Sequence, residues 1–162
     1  MGLDIYFEAR KSVYHSFSRW DESEGKSDET NYPKDLKAMA DYISKTHFRS
    51  SEVEEYYTIG YFRKFNALHN WIVQNLADGV DECQRILVSK ENIQKLKEIC
   101  IEILADKSKA PKLLPTTDGF FFGSTDYDEY YMEDVQDAFE LFSLILDTVD
   151  FNTYDIIYQA SW

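Results

Sequence analysis

Hydrophobic and polar residues alternate near both ends of the chain, which predicts a strand at each end. Residues 3–10 begin Leu-Asp-Ile-Tyr-Phe-Glu, and residues 154–160 read Tyr-Asp-Ile-Ile-Tyr-Gln-Ala. A period of two is typical of strands that bury one face. The short apolar run at 84–88 predicts a third strand, and the Phe triplet within Gly119–Gly123 predicts a fourth, because aromatic residues favour a pleated surface.

Apolar residues recur at steps of three and four in four other segments, which predicts four helices. The first follows Pro33 and the second runs from about Phe62 to Ala77; the third follows a cap at Ser89 and the fourth starts near Asp128. The polar stretch 19–33 predicts a mobile loop.

These elements predict one α+β domain over residues 1–162. Its sheet is expected to be mixed or antiparallel, with about four helices packed mainly on one face. No glycine-rich phosphate loop follows any predicted strand, so the pattern lacks the fingerprint of a doubly wound nucleotide-binding fold.

The negative charge is concentrated in the last third of the chain. Residues 113–162 hold eleven carboxylates and no Lys or Arg. This third of the chain therefore carries 11 of the 13 net negative charges. A negative electrostatic field that is concentrated in one region affects the choice of partners more than it affects the fold. It argues against direct binding of nucleic acid or anionic lipid on that side, and it favours a cationic partner or plain solvation.

Composition also predicts the compartment. The chain has two cysteines that are far apart in the sequence, Cys83 and Cys100. Its first residues include Asp4 and Glu8, whereas a secretion signal would have an apolar run there. Its three histidines are scattered, and no stretch is apolar for long enough to cross a bilayer. We therefore expect a cytoplasmic protein without a membrane segment, a metal site or a cofactor.

The segment 61–71 is the strongest candidate for ligand binding. On the predicted helix, Arg63, Asn66 and Asn70 would form one stripe with His69 at its edge, where guanidinium and amide groups suit a phosphorylated or planar ligand. The alternative is that His69 belongs to the core and that Arg63 pairs with an acid. The predicted ligand-binding residues are Arg63, Lys64, Asn66, His69, Asn70, Tyr61, Trp71, Phe121, Tyr127 and Tyr130.

The segment 119–131 carries a second candidate, an acidic and tyrosine-rich helix start. Its structural alternative is an ordinary capped helix that follows a core strand. Paired carboxylates there could serve acid and base chemistry or Mg²⁺, but their close spacing reveals no geometry. The predicted partner surface consists of Asp126, Asp128, Glu129, Glu133, Asp134 and Asp137.

Four motifs resemble a family of small uncharacterised proteins from bacteriophages and bacterial mobile elements. They are Met1-Gly2-Leu3-Asp4, Gly60-Tyr61-Phe62-Arg63-Lys64 leading to Asn66 and His69-Asn70-Trp71, Gly119-Phe120-Phe121-Phe122-Gly123, and Tyr127-Asp128-Glu129-Tyr130-Tyr131. The resemblance spans most of the chain and implies a phage setting in which the protein counters host defence. It supplies no catalytic residues.

Three functions stay open at this point. The first is sequestration of a small nucleotide-like ligand by the 61–71 segment, and the second is inhibition of a basic host protein, such as a nuclease, by an acidic surface that imitates nucleic acid. The third is a small hydrolase that uses His69 with an acid of the 126–129 cluster. The concentration of polar residues on the predicted helix at 63–70 favours sequestration over inhibition, because acidic helices are common as solvated faces. The residues also favour binding over catalysis, and self-association stays open.

Overall fold

The computed structural model describes residues 2–16 and 50–162, without the side chains of 13–16 and 50–53. The predicted helix after Pro33 and the predicted loop at 19–33 therefore lie outside the described residues. The elements are β1 (Asp4–Ser16), β2 (Ser50–Arg63), α1 (Asn66–Leu76), β3 (Ile86–Val88), α2 (Lys90–Ala105), a 3₁₀ turn (Lys107–Lys109), α3 (Ala110–Leu113), α4 (Glu129–Thr148) and β4 (Asp155–Ser161).

The chain divides into two compact units by its internal contacts. The larger comprises residues 1–11 and 56–162, and the smaller comprises residues 12–55. In the smaller unit the structure describes only the strand residues 12–16 and 50–55. All candidate site residues belong to the larger unit.

The strands form one antiparallel sheet in the order β2-β1-β4-β3. Tyr158 of β4 stands opposite Phe7 of β1 on one side and Ile86 of β3 on the other. Alternation along β1 buries Ile5, Phe7 and Ala9 on the core side. The predicted α+β class with an antiparallel sheet is confirmed.

The helices cover this sheet face with their apolar stripes. Phe142 of α4 is fully buried, and its ring meets Phe7 edge to face at 5.6 Å between centroids. The predicted cap at Ser89 is confirmed, because its side chain accepts from the Asn92 amide. The last helix is capped by Asp128, whose side chain accepts from the Tyr131 amide. Among the described residues, no helix combines the length and apolarity that a bilayer crossing requires.

The predicted start of the second helix is wrong, because β2 continues to Arg63 and α1 begins only at Asn66. Phe62 is buried between exposed neighbours, which is strand alternation. Lys64 then takes a left-handed φ of 63°, and Phe65 makes an inverse γ-turn closed by the Asn66 amide on the Lys64 carbonyl at 2.8 Å. The strand thus turns into the helix within two residues.

The predicted strand at Gly119–Gly123 is also wrong. The segment makes a β-turn that the Phe122 amide closes on the Gly119 carbonyl at 3.1 Å. Strand β2 was not predicted, although the run Tyr-Tyr-Thr-Ile at 56–59 carries the β-branched and aromatic residues that strands favour.

Candidate functional site

A cleft of about 320 Å³ lies where β2 turns into α1, opposite the start of α4. It brings together predicted ligand-binding residues and predicted acidic residues that are about 60 positions apart in the chain. Its lining consists of Arg63, Lys64, Phe65, Asn66, Ala67, Thr116, Gly123, Ser124, Asp126, Asp128, Tyr130, Tyr131, Glu133 and Asp134.

One wall of the cleft is cationic. Arg63 and Lys64 are exposed, and neither makes an ion pair within 4 Å in the described part of the chain. The first residue of α1 is preceded by Phe65, which offers no side-chain cap to the helix amides. The positive end of the helix dipole therefore adds to the two side chains.

The opposite wall is acidic and carries more charge. It holds Asp126, Asp128, Glu133 and Asp134 against the two cations. Burial, followed by repulsion from Asp137, Glu133 and Asp128, raises the pKa of the Asp134 carboxyl to about 7. Burial therefore disfavours the ionised form of Asp134 first, and the neighbouring carboxylates add to this effect.

Asn66 does not line a ligand stripe, because its carboxamide is fully engaged. Its side chain is buried at the first position of α1, where Nδ2 donates to the Phe122 and Ser124 carbonyls at 3.1 and 2.8 Å. Its Oδ1 accepts from the Thr117 amide at 3.1 Å. One side chain therefore holds both sides of the 117–124 loop.

The predicted Arg63–Asn66–Asn70 stripe is wrong, since Arg63 ends a strand and the other two residues belong to α1. Asn70 donates from Nδ2 to the Pro115 carbonyl at 3.1 Å. Both amides thus fix the connection that leads into α4. Asn66 lines the cleft with Arg63 and Lys64, but its amide is held by backbone groups, whereas Arg63 and Lys64 are exposed.

His69 is a buried core histidine with both ring nitrogens occupied. Its Nδ1 lies 2.6 Å from the Tyr158 hydroxyl, and its Nε2 lies 2.9 Å from Asp81 Oδ2. Asp81 also accepts from Trp162 Nε1 at 3.3 Å. The acid beside His69 is therefore Asp81 and not a member of the 126–129 cluster, and burial, then Asp81, raises the pKa of Tyr158.

Sequence reasoning missed Asp81 and Tyr158, and little could have identified them. Tyr158 reads as an ordinary core-facing strand residue, and Asp81 lies in an irregular segment without a motif. Only the fold places the Tyr158 hydroxyl and the Asp81 carboxylate against His69. There they provide hydrogen-bond partners for an imidazole that is 1% exposed.

The other predicted aromatic residues have mainly structural contacts. Trp71 lies in the core under Lys95, and the Tyr61 hydroxyl donates to Asp4 at 2.6 Å. The Tyr127 hydroxyl accepts from the Thr116 amide. Tyr130 differs, because its side chain is 76% exposed at the rim of the cleft.

A second hollow of about 400 Å³ runs along the neighbouring side of α4. It is lined by Glu129, Glu133 and Asp137, with Lys107 as its cation. We call the carboxylates of both hollows the acidic face: Asp126, Asp128, Glu129, Glu133, Asp134 and Asp137. None of them makes an ion pair within 4 Å in the described ranges, which also contain no cluster of metal-ligating side chains.

Replacing Asn66 by Ala should destabilise the protein by about 2–4 kcal/mol, because three loop groups lose their partner. Urea denaturation measures the loss. Asn75→Ala is the matched control, since Asn75 lies on the same helix and bonds only the Trp71 carbonyl four residues earlier. Equal stability of the two variants would show that Asn66 does not hold the loop.

Asp134→Asn should change stability in a pH-dependent way. The carboxyl has a pKa of 3.8 when unfolded and about 7 when folded, so its contribution is fully present below pH 4 and is lost as the pH rises through 7. Asn cannot ionise, so the variant should be more stable than the wild type at pH 8 by roughly 1–2 kcal/mol after solvent screening. The gain should vanish near pH 4.

Thermal unfolding from pH 4 to 8 measures this difference. Asp147→Asn removes the same charge from an exposed position of α4 and should give no comparable pH-dependent gain. A constant effect of Asp134→Asn at all pH values would contradict the crowded acidic wall.

Comparison with protein-family models, with curated proteins and with solved structures finds no match to this chain. The resemblance to phage proteins stays a prediction. The cleft and the acidic face are the features of the described residues that bear on function.

Proposed function

We propose that this chain is a binding protein whose acidic face recognises a basic surface of a partner protein, in competition with that partner's nucleic acid. In the phage setting that the resemblance implies, the partner is a host nuclease or another nucleic-acid-binding protein. The proposed location is the host cytoplasm, a compartment that keeps Cys83 and Cys100 as free thiols.

The observation that carries this proposal is the crowding of carboxylates that have no ion-pair partner in the described residues. Six carboxylates share about three helical turns and the segment before them. Burial, followed by repulsion from Asp137, Glu133 and Asp128, raises the pKa of Asp134. Mutual repulsion of this kind is relieved when a cationic surface approaches.

The crowded carboxylates of the acidic face would also exclude anionic partners. Polynucleotides and anionic membranes meet a repulsive field at this face, whereas a groove built to hold phosphates presents complementary Lys and Arg side chains. Arg63 and Lys64 at the edge of the cleft would then fix the orientation of the partner, because like charges exclude one of the docking geometries.

Reversing Glu133 and Asp137 to Lys should abolish partner capture, because these exposed side chains lie one turn apart at the centre of the acidic face. The immobilised protein is incubated with bacterial lysate, and retained proteins are identified by mass spectrometry. We expect basic nucleic-acid-binding proteins that duplex DNA displaces and that dissociate between about 50 and 300 mM salt.

The control variant is Glu82→Lys with Glu98→Lys, which changes the net charge equally at exposed positions outside the acidic face. It should retain the same partners as the wild type. Loss of capture in both double variants, or a complex that salt does not weaken, would count against a localised acidic interface.

A second candidate function is capture of a small phosphorylated ligand, and one observation favours it. Arg63, Lys64 and the uncapped start of α1 converge on a cleft of nucleotide-like size beside the exposed ring of Tyr130. The four carboxylates opposite would weaken such binding, which is why we place this function second.

Calorimetric titration with ADP tests this second candidate. Arg63→Ala with Lys64→Ala should reduce affinity at least about tenfold, whereas Lys109→Ala with Lys112→Ala, which removes two exposed cations elsewhere, should not. Equal ADP binding by the two double variants would exclude the cleft as the site.

A further inference from the structure

The turn at residues 119–123, which we call the aromatic turn, directs a large apolar ring into solvent. The side chain of Phe120 is 94% exposed, more than any other large hydrophobic residue among those described. The ring of Phe121 packs edge to face against it, with 4.7 Å between centroids. Phe120 therefore stands on a second aromatic ring and away from the core.

The backbone of this turn is held at several points. The Leu3 amide donates to the Phe121 carbonyl at 3.1 Å, and Asn66 Nδ2 donates to the Phe122 carbonyl. The ring of Phe122 points inward, against His69 at 5.1 Å and Trp162 at 6.0 Å between centroids. Contacts to three separate parts of the chain thus fix the position from which Phe120 projects.

Two glycines permit this geometry. A Cβ at Gly119 would lie 2.6 Å from the Phe122 ring, and Gly123 has a φ of 90° that disfavours other residues. The turn therefore has a specific shape, and its backbone loses little conformational freedom when a partner binds. Preorganisation of this kind raises the affinity of an exposed aromatic anchor.

The chain on both sides of the turn is acidic, and the turn borders the cleft that contains part of the acidic face. Asp118 and Asp126 flank it in the chain, and Gly123 and Ser124 line the cleft that contains Asp134. No Lys or Arg occurs between residues 113 and 162. Lys64 packs against the turn at Gly123, on the side of the cleft. A partner that covers Phe120 meets the exposed carboxylate of Asp118 beside the apolar ring, and the acidic face across the cleft.

We propose that Phe120 is the apolar anchor of the acidic interface and inserts into a hydrophobic pocket whose rim carries Lys or Arg. This inference rests on the proposed function and adds a specificity element to it. A central aromatic ring with charged residues around it is the usual composition of a binding hot spot. A second copy of the chain fits poorly, because its net charge of −13 repels the first.

The test selects binders from a library of random displayed peptides. The wild type should enrich sequences that combine Lys or Arg with large apolar residues. Phe120→Ala should keep the basic enrichment and lose the apolar one, whereas Glu133→Lys with Asp137→Lys should lose the basic enrichment. Leu144→Ala is the matched control, because its side chain is also exposed, at 60%, but lies far along α4.

The affinity of the wild type and of each variant is then measured with one peptide from this selection. Phe120→Ala should weaken its binding at least about tenfold and Leu144→Ala less than about twofold, with both variants unfolding at the wild-type temperature.

The outcomes separate the two proposals. Basic enrichment without an apolar preference, or the same apolar preference in Phe120→Ala, overturns the anchor and leaves the acidic interface standing. Absence of basic enrichment in the wild type overturns the acidic interface and the anchor with it. Phe120-dependent dimers in sedimentation, or binding to phosphatidylcholine vesicles that Phe120→Ala abolishes, would assign the ring to a different occupant and overturn the proposal.

Discussion

The arrangement of this protein depends on one buried carboxamide. Asn66 donates twice and accepts once, and its three partners are backbone groups more than fifty residues later in the chain. Only Asn and Gln combine these donors and this acceptor without charge, and the shorter Asn fits the first turn of a helix. Its bonds position the aromatic turn on one side and the acidic segment before α4 on the other.

The junction between β2 and α1 supplies the complementary half of the site. Because the strand ends at Arg63 and the helix starts at Asn66, the left-handed Lys64 and the γ-turn at Phe65 place two cations beside carboxylates from the far end of the sequence. The resulting cleft holds four carboxylates against two cations, so its charge is not neutralised. Charge that the fold concentrates in this way is available for recognition of a partner.

Elements with their own local signals could be predicted from the sequence. The strands at both ends follow a period of two, and the helices that Ser89 and Asp128 cap have clear apolar stripes. The two wrong predictions concern residues 61–65 and 119–123. Aromatic residues there fit both the two-residue period of a strand and the 3.6-residue period of a helix, and no single residue type signals the turn that the backbone makes. There, packing against distant residues decides the conformation.

The candidate site could be predicted only in part, for the same reason. The acidic surface follows from composition, and Arg63 and Lys64 were identified by their chemistry. The role of Asn66 was not, because an amide in a sequence reveals its hydrogen-bonding capacity and not its partners. His69 is a similar case: the alternative of a core histidine fits its contacts with Tyr158 and Asp81.

Hydrogen exchange by NMR at the Asn66 side chain tests the central constraint most directly. If its carboxamide holds the 117–124 loop, the Asn66 Nδ2 protons and the Thr117 amide proton exchange slowly and with a common protection factor, as expected for groups that open in one event. Rapid exchange of these protons, at the rate of the exposed amides of Asn75 and Asn152, would contradict the account.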